Sequence, residues 1–265
     1  MDPRLKRLDF KTLATSVRDF LMPRVCLCCG RQLLPCEKHL CIACLADIPF
    51  THFERVLHNP MADSFNALVE APGYERACAL FYYSGDYEKI TQALKYRRNF
   101  SAGRWFASLL GERLARAGWD IDVVCPVPLH WTREFSRGYN QASIIGREVA
   151  RALGVPFEPR LLKRVRRTGT QTRLTDEQRA ANVAGAFMVN PEYRPSTKTA
   201  FIMDGRAYSG RPSTKTPIFL DGVQSILLVD DVFTTGSTLA ACAAALRKTF
   251  GSELRISIAT LAYVE

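Results

Sequence analysis

The chain has 265 residues, 47% of them hydrophobic, and 36 Lys and Arg against 26 Asp and Glu give it a formal charge of +10 and a pI near 9.3. That hydrophobic content rules out disorder for most of the chain and suffices for one sizeable domain with a smaller module. The charge favours an anionic partner, and no apolar run reaches the roughly 18 residues that a membrane span needs, so a soluble chain is expected.

Residues 1–24 carry Leu5, Leu8, Leu13, Val17, Phe20 and Leu21 at helical spacing. Asp2, Asp9 and Asp19 interrupt any continuous apolar core, so this is an amphipathic helix rather than a secretory signal. Nine cysteines without an export signal then point to a reducing cytoplasm and to metal ligation rather than disulfides.

Residues 25–50 hold the pattern Cys26-x-x-Cys29 and Cys41-x-x-Cys44, in CLCCGRQLLPCEKHLCIAC. Each pair offers two thiolates, and two such knuckles complete a closed tetrahedral zinc site. Cys28, Cys36 and His39 lie within the same stretch as alternative ligands. The polar residues that follow, 51–75, read as a linker.

From residue 76 onward the pattern alternates. Ala77 to Tyr83, Ile121 to Val127, Ile226 to Val229 and Leu254 to Ala262 read as strands. Tyr87 to Tyr96, Arg104 to Ala117, Tyr139 to Leu153 and Ser237 to Thr249 read as helices, and Thr175 with Gln178 forms a capping box before another. This order predicts an α/β fold with a mostly parallel sheet and flanking helices. The hexapeptide RPSTKT occurs at Arg194 to Thr199 and again at Arg211 to Thr216, marking a duplicated loop insertion at about 190–224.

The most informative stretch is ILLVDDVFTTGSTL, from Ile226 to Leu239. A parallel strand that ends in polar residues and turns through glycine into a helix is where α/β sheets bind ligands. Asp230 and Asp231 can accept hydrogen bonds from vicinal hydroxyls, while Thr234, Thr235, Gly236, Ser237 and Thr238 supply hydroxyls and helix-start amides to an anion. A ribose 5-phosphate satisfies both halves. No G-x-x-x-x-G-K-[ST] and no strand-borne G-x-G-x-x-G is present, which argues against nucleotide triphosphatases and dinucleotide enzymes.

ILLVDDVFTTGST resembles the phosphoribosyl pyrophosphate (PRPP) signature of type I phosphoribosyltransferases. With CPVPLHWTREFSRGYNQA, TQTRLTDEQRAANVAGAF and the front C-x-x-C pairs, the chain resembles the ComF competence-protein family and its gluconate-periplasmic-binding-like relatives. That resemblance implies a zinc knuckle ahead of a phosphoribosyltransferase-like domain. It implies that Asp230 and Asp231 bind the ribose hydroxyls with magnesium, that Thr234 to Thr238 hold the 5-phosphate, and that Arg137 joins the acids in any catalysis. Leu129, His130, Arg133, Asn140, Gln141, Arg167 and Gln171 would serve the pyrophosphate and its covering loop. Arg137 to Gln141 can equally be a helix start with a structural turn.

Two further stretches stay open. The basic run from Arg160 to Arg179 can be a solvated face, a mobile loop over the site or a track for a nucleic-acid backbone. FYYSGDYEKITQALKYRRNF interleaves Tyr82, Tyr83, Tyr87, Tyr96 and Phe100 with Lys89, Lys95, Arg97 and Arg98, which suits single-stranded DNA. A strand and an amphipathic helix burying its tyrosines account for the same residues. The resemblance implies a PRPP-binding protein of natural transformation that handles single-stranded DNA with a helicase partner. The alternative is an active phosphoribosyltransferase with a nucleobase or amine acceptor.

Overall fold

The computed structural model describes residues 24–96, 99–129, 138–166, 185–194, 218–219 and 222–265. Its main sheet joins four parallel strands, β1 (Ala77–Tyr82), β2 (Val123–Pro126), β7 (Ser225–Phe233) and β8 (Arg255–Tyr263), in the order β1-β8-β7-β2. Ile226, Leu227, Leu228 and Val229 are buried, as are all residues from Ile256 to Ala262. Strands covered on both faces need such unbroken runs, and each large apolar side chain so buried contributes about 1.5–3 kcal/mol. The fold is α/β with a mostly parallel sheet and flanking helices.

Two short pairings accompany this sheet: β3 (Leu162–Arg164) with β4 (Phe187–Val189), antiparallel, and β5 (Tyr193–Arg194) with β6 (Ile218–Phe219), parallel. The helices are α1 (Ile42–Ala46), α2 (Pro60–Asn66), α3 (Glu88–Tyr96), α4 (Phe100–Arg116), α5 (Gln141–Leu153) and α6 (Ser237–Phe250). Asparagine starts three of them: Asn59, Asn99 and Asn140 each accept a first-turn amide through the side-chain oxygen. Helices α4 and α5 pack against one another, and Gly111 permits their approach, because a Cβ there would lie 2.7 Å from that of Ala152.

Two features differ from the sequence expectation. Strand β7 does not stop at Val229; β8 stays in register with it through Phe233↔Tyr263, so Asp230 and Asp231 are strand residues. The stretch 51–75, expected as a linker, carries buried Phe53, Met61, Ala62 and Phe65 and forms α2. Glu54, itself buried, accepts from Arg113 at 2.9 Å and through its carbonyl from the Trp119 indole at 3.0 Å. The N-terminal amphipathic stretch 1–23, the Thr175–Gln178 capping box and nearly all of the RPSTKT insertion lie outside the described residues. Among the described residues no helix is long and apolar enough to cross a membrane.

Candidate ligand cavity and metal module

Strand β2 pairs with β7 only as far as Pro126↔Val229, and the last contact on that flank is Val127 N–H donating to the Val229 carbonyl at 2.9 Å. Beyond it β7 continues beside β8 alone, which leaves a crevice at the carboxyl end of the sheet. A cavity of about 360 Å³ opens there. Its walls include Asp230 and Asp231 from β7, Thr234 to Thr238 from the turn into α6, Leu129 after β2, Asn140 and Gln141 at the start of α5, Lys95 from α3 and Arg164 from β3.

The turn into α6 is shaped by Gly236, whose φ of 75° lies in the left-handed region. Its missing side chain matters as well, because a Cβ would stand 2.7 Å from the Phe233 ring. Thr235 and Ser237 hydroxyls lie 3.1 Å apart, and no side chain among the described residues caps the first amides of the fourteen-residue helix. Those amides and the positive end of the helix dipole form an anion cradle.

The wall formed by the end of β7 is acidic. Asp230 accepts from the Asp231 amide at 2.8 Å, and Asp231 pairs with the Lys95 ammonium at 3.1 Å. Burial and the neighbouring Asp231 push the Asp230 carboxyl up to about 7, against the opposing pull of that amide, Lys95 and Arg164. Burial works to lower the Lys95 ammonium, but Asp231 and Asp230 outweigh it and hold it above its ordinary value. The wall therefore presents one firmly paired carboxylate and one carboxyl poised near neutrality.

Asn140 and Gln141 have separate tasks. Asn140 caps α5 by accepting from the Ala142 amide at 3.1 Å and ties the helix to β2 by donating to the Val127 carbonyl at 3.0 Å. Gln141 is buried, and its Nε2 has no hydrogen-bond partner among the described residues. A buried amide left this way costs free energy.

Apart from this cavity, Cys26, Cys29, Cys41 and Cys44 bring their sulfurs within 4.8 Å of one another. Ligands about 2.3 Å from a tetrahedral zinc stand about 3.8 Å apart, and the Cys29 and Cys41 sulfurs are separated by 3.8 Å. Burial works to raise the Cys26 thiol, yet N–H groups of Cys41, Cys29 and Cys28 bring it down to about 7. Cys28 lies outside the quartet, its thiol pushed up to about 12 by burial, and Cys36 is exposed. His39 instead meets Ser101 at 3.4 Å and packs near Trp105. The four cysteines of the quartet could hold a metal ion.

The chain is 27% identical to competence protein F of Haemophilus influenzae over 240 residues, spanning 87% of this chain and 94% of that one. The chain is similar to competence protein F along nearly its whole length. It is also 24% identical to the DNA utilization protein YhgH of Salmonella typhimurium and of Escherichia coli over 237 residues, 88% of each chain. No family model matches it. Among solved structures, glutamine PRPP amidotransferase from B. subtilis complexed with ADP and GMP overlaps 60% of this chain and 26% of its own, with 18% identity and a TM-score of 0.32.

The likeness to competence protein F is the one expected from the motifs. Of the site residues named from the sequence, Asp230, Asp231, Thr234 to Thr238, Leu129, Asn140 and Gln141 line one cavity. His130, Arg133, Arg137, Arg167 and Gln171 lie outside the described residues. Tyr83, Lys95 and Arg164 also line the cavity, though none stands in the signature motifs. Within the aromatic and basic stretch around them, three residues have internal partners: Tyr87 donates to the Cys44 carbonyl at 3.0 Å, Lys89 to that of Cys28 at 2.8 Å, and Lys95 pairs with Asp231.

Proposed function

We propose that this protein binds PRPP, or a related ribose phosphate, in the cavity at the end of β7 and acts in DNA uptake during natural transformation. The observation that carries the reading is that an acid pair and a helix-start cradle line one cavity. The acids suit vicinal ribose hydroxyls and the cradle suits a 5-phosphate.

Magnesium accompanying PRPP would neutralise part of its diphosphate charge, and Asp230 and Asp231 would be the carboxylates to hold it. Zinc is the metal assigned to the cysteine quartet, since four thiolates in tetrahedral array select it. The DNA role is supported by similarity to competence protein F and the DNA utilization proteins, and by the net charge of +10. Single-stranded DNA and a helicase are the partners in this reading, in a cytoplasmic setting.

Calorimetric titration of PRPP with Mg²⁺ into the full chain tests the site. Binding that disappears in Asp230→Asn with Asp231→Asn supports it, and affinity unchanged by the double substitution refutes it. Single-stranded DNA binding should weaken steeply as salt rises, because phosphate contacts release counterions.

A further inference from the structure

The acid pair raises a physical difficulty for the reading above. Two carboxylates that face a cavity repel any ligand whose phosphates come within a few ångströms, and the low dielectric of a recessed site sharpens that repulsion. The cavity already contains a remedy. Lys95 Nζ stands 3.1 Å from Asp231, its side chain only 25% exposed and that of Asp231 13%. It arrives from α3, whose last turn is held where it is: the Tyr139 hydroxyl donates to the carbonyls of Leu94 and Lys95, the latter at 3.2 Å. Leu94 is buried beneath it.

We propose that Lys95 is a specificity-determining residue of the cavity, a built-in counter-ion that lets the acid pair accept a diphosphate-bearing ribose with little dependence on magnesium. The inference rests on the ribose-phosphate reading of the site. The ammonium neutralises Asp231 in the empty cavity and is shared with the ligand's anionic groups when they arrive, so no carboxylate faces a phosphate uncompensated. Lysine suits this task, because its compact charge on a flexible stem can be shared between Asp231 and a phosphate without fixed bidentate geometry. Arg164, on the same wall, and the helix-start amides complete the positive surroundings of the cavity. A ligand with one phosphate, seated at the cradle, gains less from Lys95 than one with a diphosphate near the acids.

The test is calorimetric titration of PRPP and of ribose 5-phosphate into the full-length protein, its Lys95→Gln and its Lys95→Arg variants, each in magnesium-depleted buffer and with Mg²⁺ added. The wild type should bind PRPP within a few-fold equally in both buffers. Lys95→Gln should lose about thirtyfold or more in PRPP affinity without magnesium, the factor typical of truncating one partner of a buried charge pair. It should regain much of that loss when Mg²⁺ is added, and ribose 5-phosphate binding should change far less. Lys95→Arg should keep the wild-type tolerance of magnesium depletion, which separates lost charge from lost folding. A wild type that binds PRPP only with Mg²⁺, or a Lys95→Gln protein with unchanged affinity and magnesium response, overturns the proposal and leaves the site reading intact. A wild type that binds neither ligand in either buffer overturns both.

Discussion

Lys89 donates its ammonium to the Cys28 carbonyl at 2.8 Å, fastening the start of α3 to the four-cysteine module six residues before Lys95 reaches the ligand cavity. Tyr87 adds a second tie, from its hydroxyl to the Cys44 carbonyl at 3.0 Å. The metal module and the cavity are thus bolted to opposite ends of one helix.

Metal removal should therefore be felt at both ends. Purified protein is expected to contain one zinc per chain, measured by elemental analysis. Cys41→Ser should lose it, whereas Cys36→Ser, altering an exposed thiol outside the quartet, should retain it. Because ligation energy is folding energy in such modules, Cys41→Ser should also lower the melting temperature and weaken PRPP binding. Zinc retained at full stoichiometry in Cys41→Ser would contradict the ligand assignment.

The poised Asp230 carboxyl gives a pH signature. Its folded value, about 7, lies above the ordinary 3.8, so between these values the folded state holds a proton that the unfolded state has released. Its contribution to stability is full below the lower value, is lost as pH rises toward 7, and stays lost above it. Asp230→Asn should remove this dependence and raise the melting temperature of the ligand-free protein at pH 8 by at least roughly 2–4 °C, the shift of about 1 kcal/mol in a chain this long. The same variant should bind PRPP poorly. Calorimetry across pH 5 to 8 reads both effects, and an identical pH profile in wild type and variant would speak against the assignment.

Gly236→Ala combines two penalties, a left-handed backbone and a Cβ driven to 2.7 Å from the Phe233 ring. A loss of about 1–3 kcal/mol is expected in urea unfolding, together with weaker PRPP binding as the cradle shifts. A variant with wild-type stability and affinity would show that the turn tolerates a side chain.

Glu75 and Arg247 form a buried ion pair behind the sheet, with side-chain exposures of 4% and 9%. Glu75 also accepts from the Ile256 amide at 2.8 Å, so the pair anchors α6 to β8. Glu75→Ala would leave the guanidinium without its carboxylate, holding only the Leu254 and Glu70 carbonyls, and a loss of about 3 kcal/mol is expected in chemical denaturation. A change within half a kilocalorie, roughly, would mean that Arg247 finds equivalent partners in water.

The parts of the molecule legible in the sequence are those written in local pattern. DDVFTTGST signals its own strand, turn and helix start because apolar run, glycine and hydroxyls are contiguous, and the paired C-x-x-C spacing points to the cysteine quartet, although only the folded geometry separates it from Cys28, Cys36 and His39. Gly154 ends α5 at the expected place through its left-handed conformation. Lys95 was not legible as a cavity residue, and Arg164 only as one member of a basic run with three open readings, since each comes from an element far from Asp231 in sequence and tertiary packing unites them. The tyrosines and lysines between residues 82 and 95 have a composition that serves DNA stacking and internal packing alike. The partners of Tyr87, Lys89 and Lys95 are set by tertiary packing, which local pattern cannot encode. The reach of β7 past Val229 was hidden for a similar reason: carboxylates are poor strand residues by propensity, and it is β8 that carries the pairing on.

The residues just after the four-cysteine module have one further effect. Phe50 bridges Phe81, Tyr82 donates to the Pro49 carbonyl at 2.9 Å, and Thr51 donates to that of Leu80, so residues 49–51 run along the outer flank of β1. That flank would otherwise offer bare amides and carbonyls to any passing chain. The front of the polypeptide thus works as a selvedge for the sheet, and a version trimmed to begin after it would be left with a raw border prone to stick to its own copies.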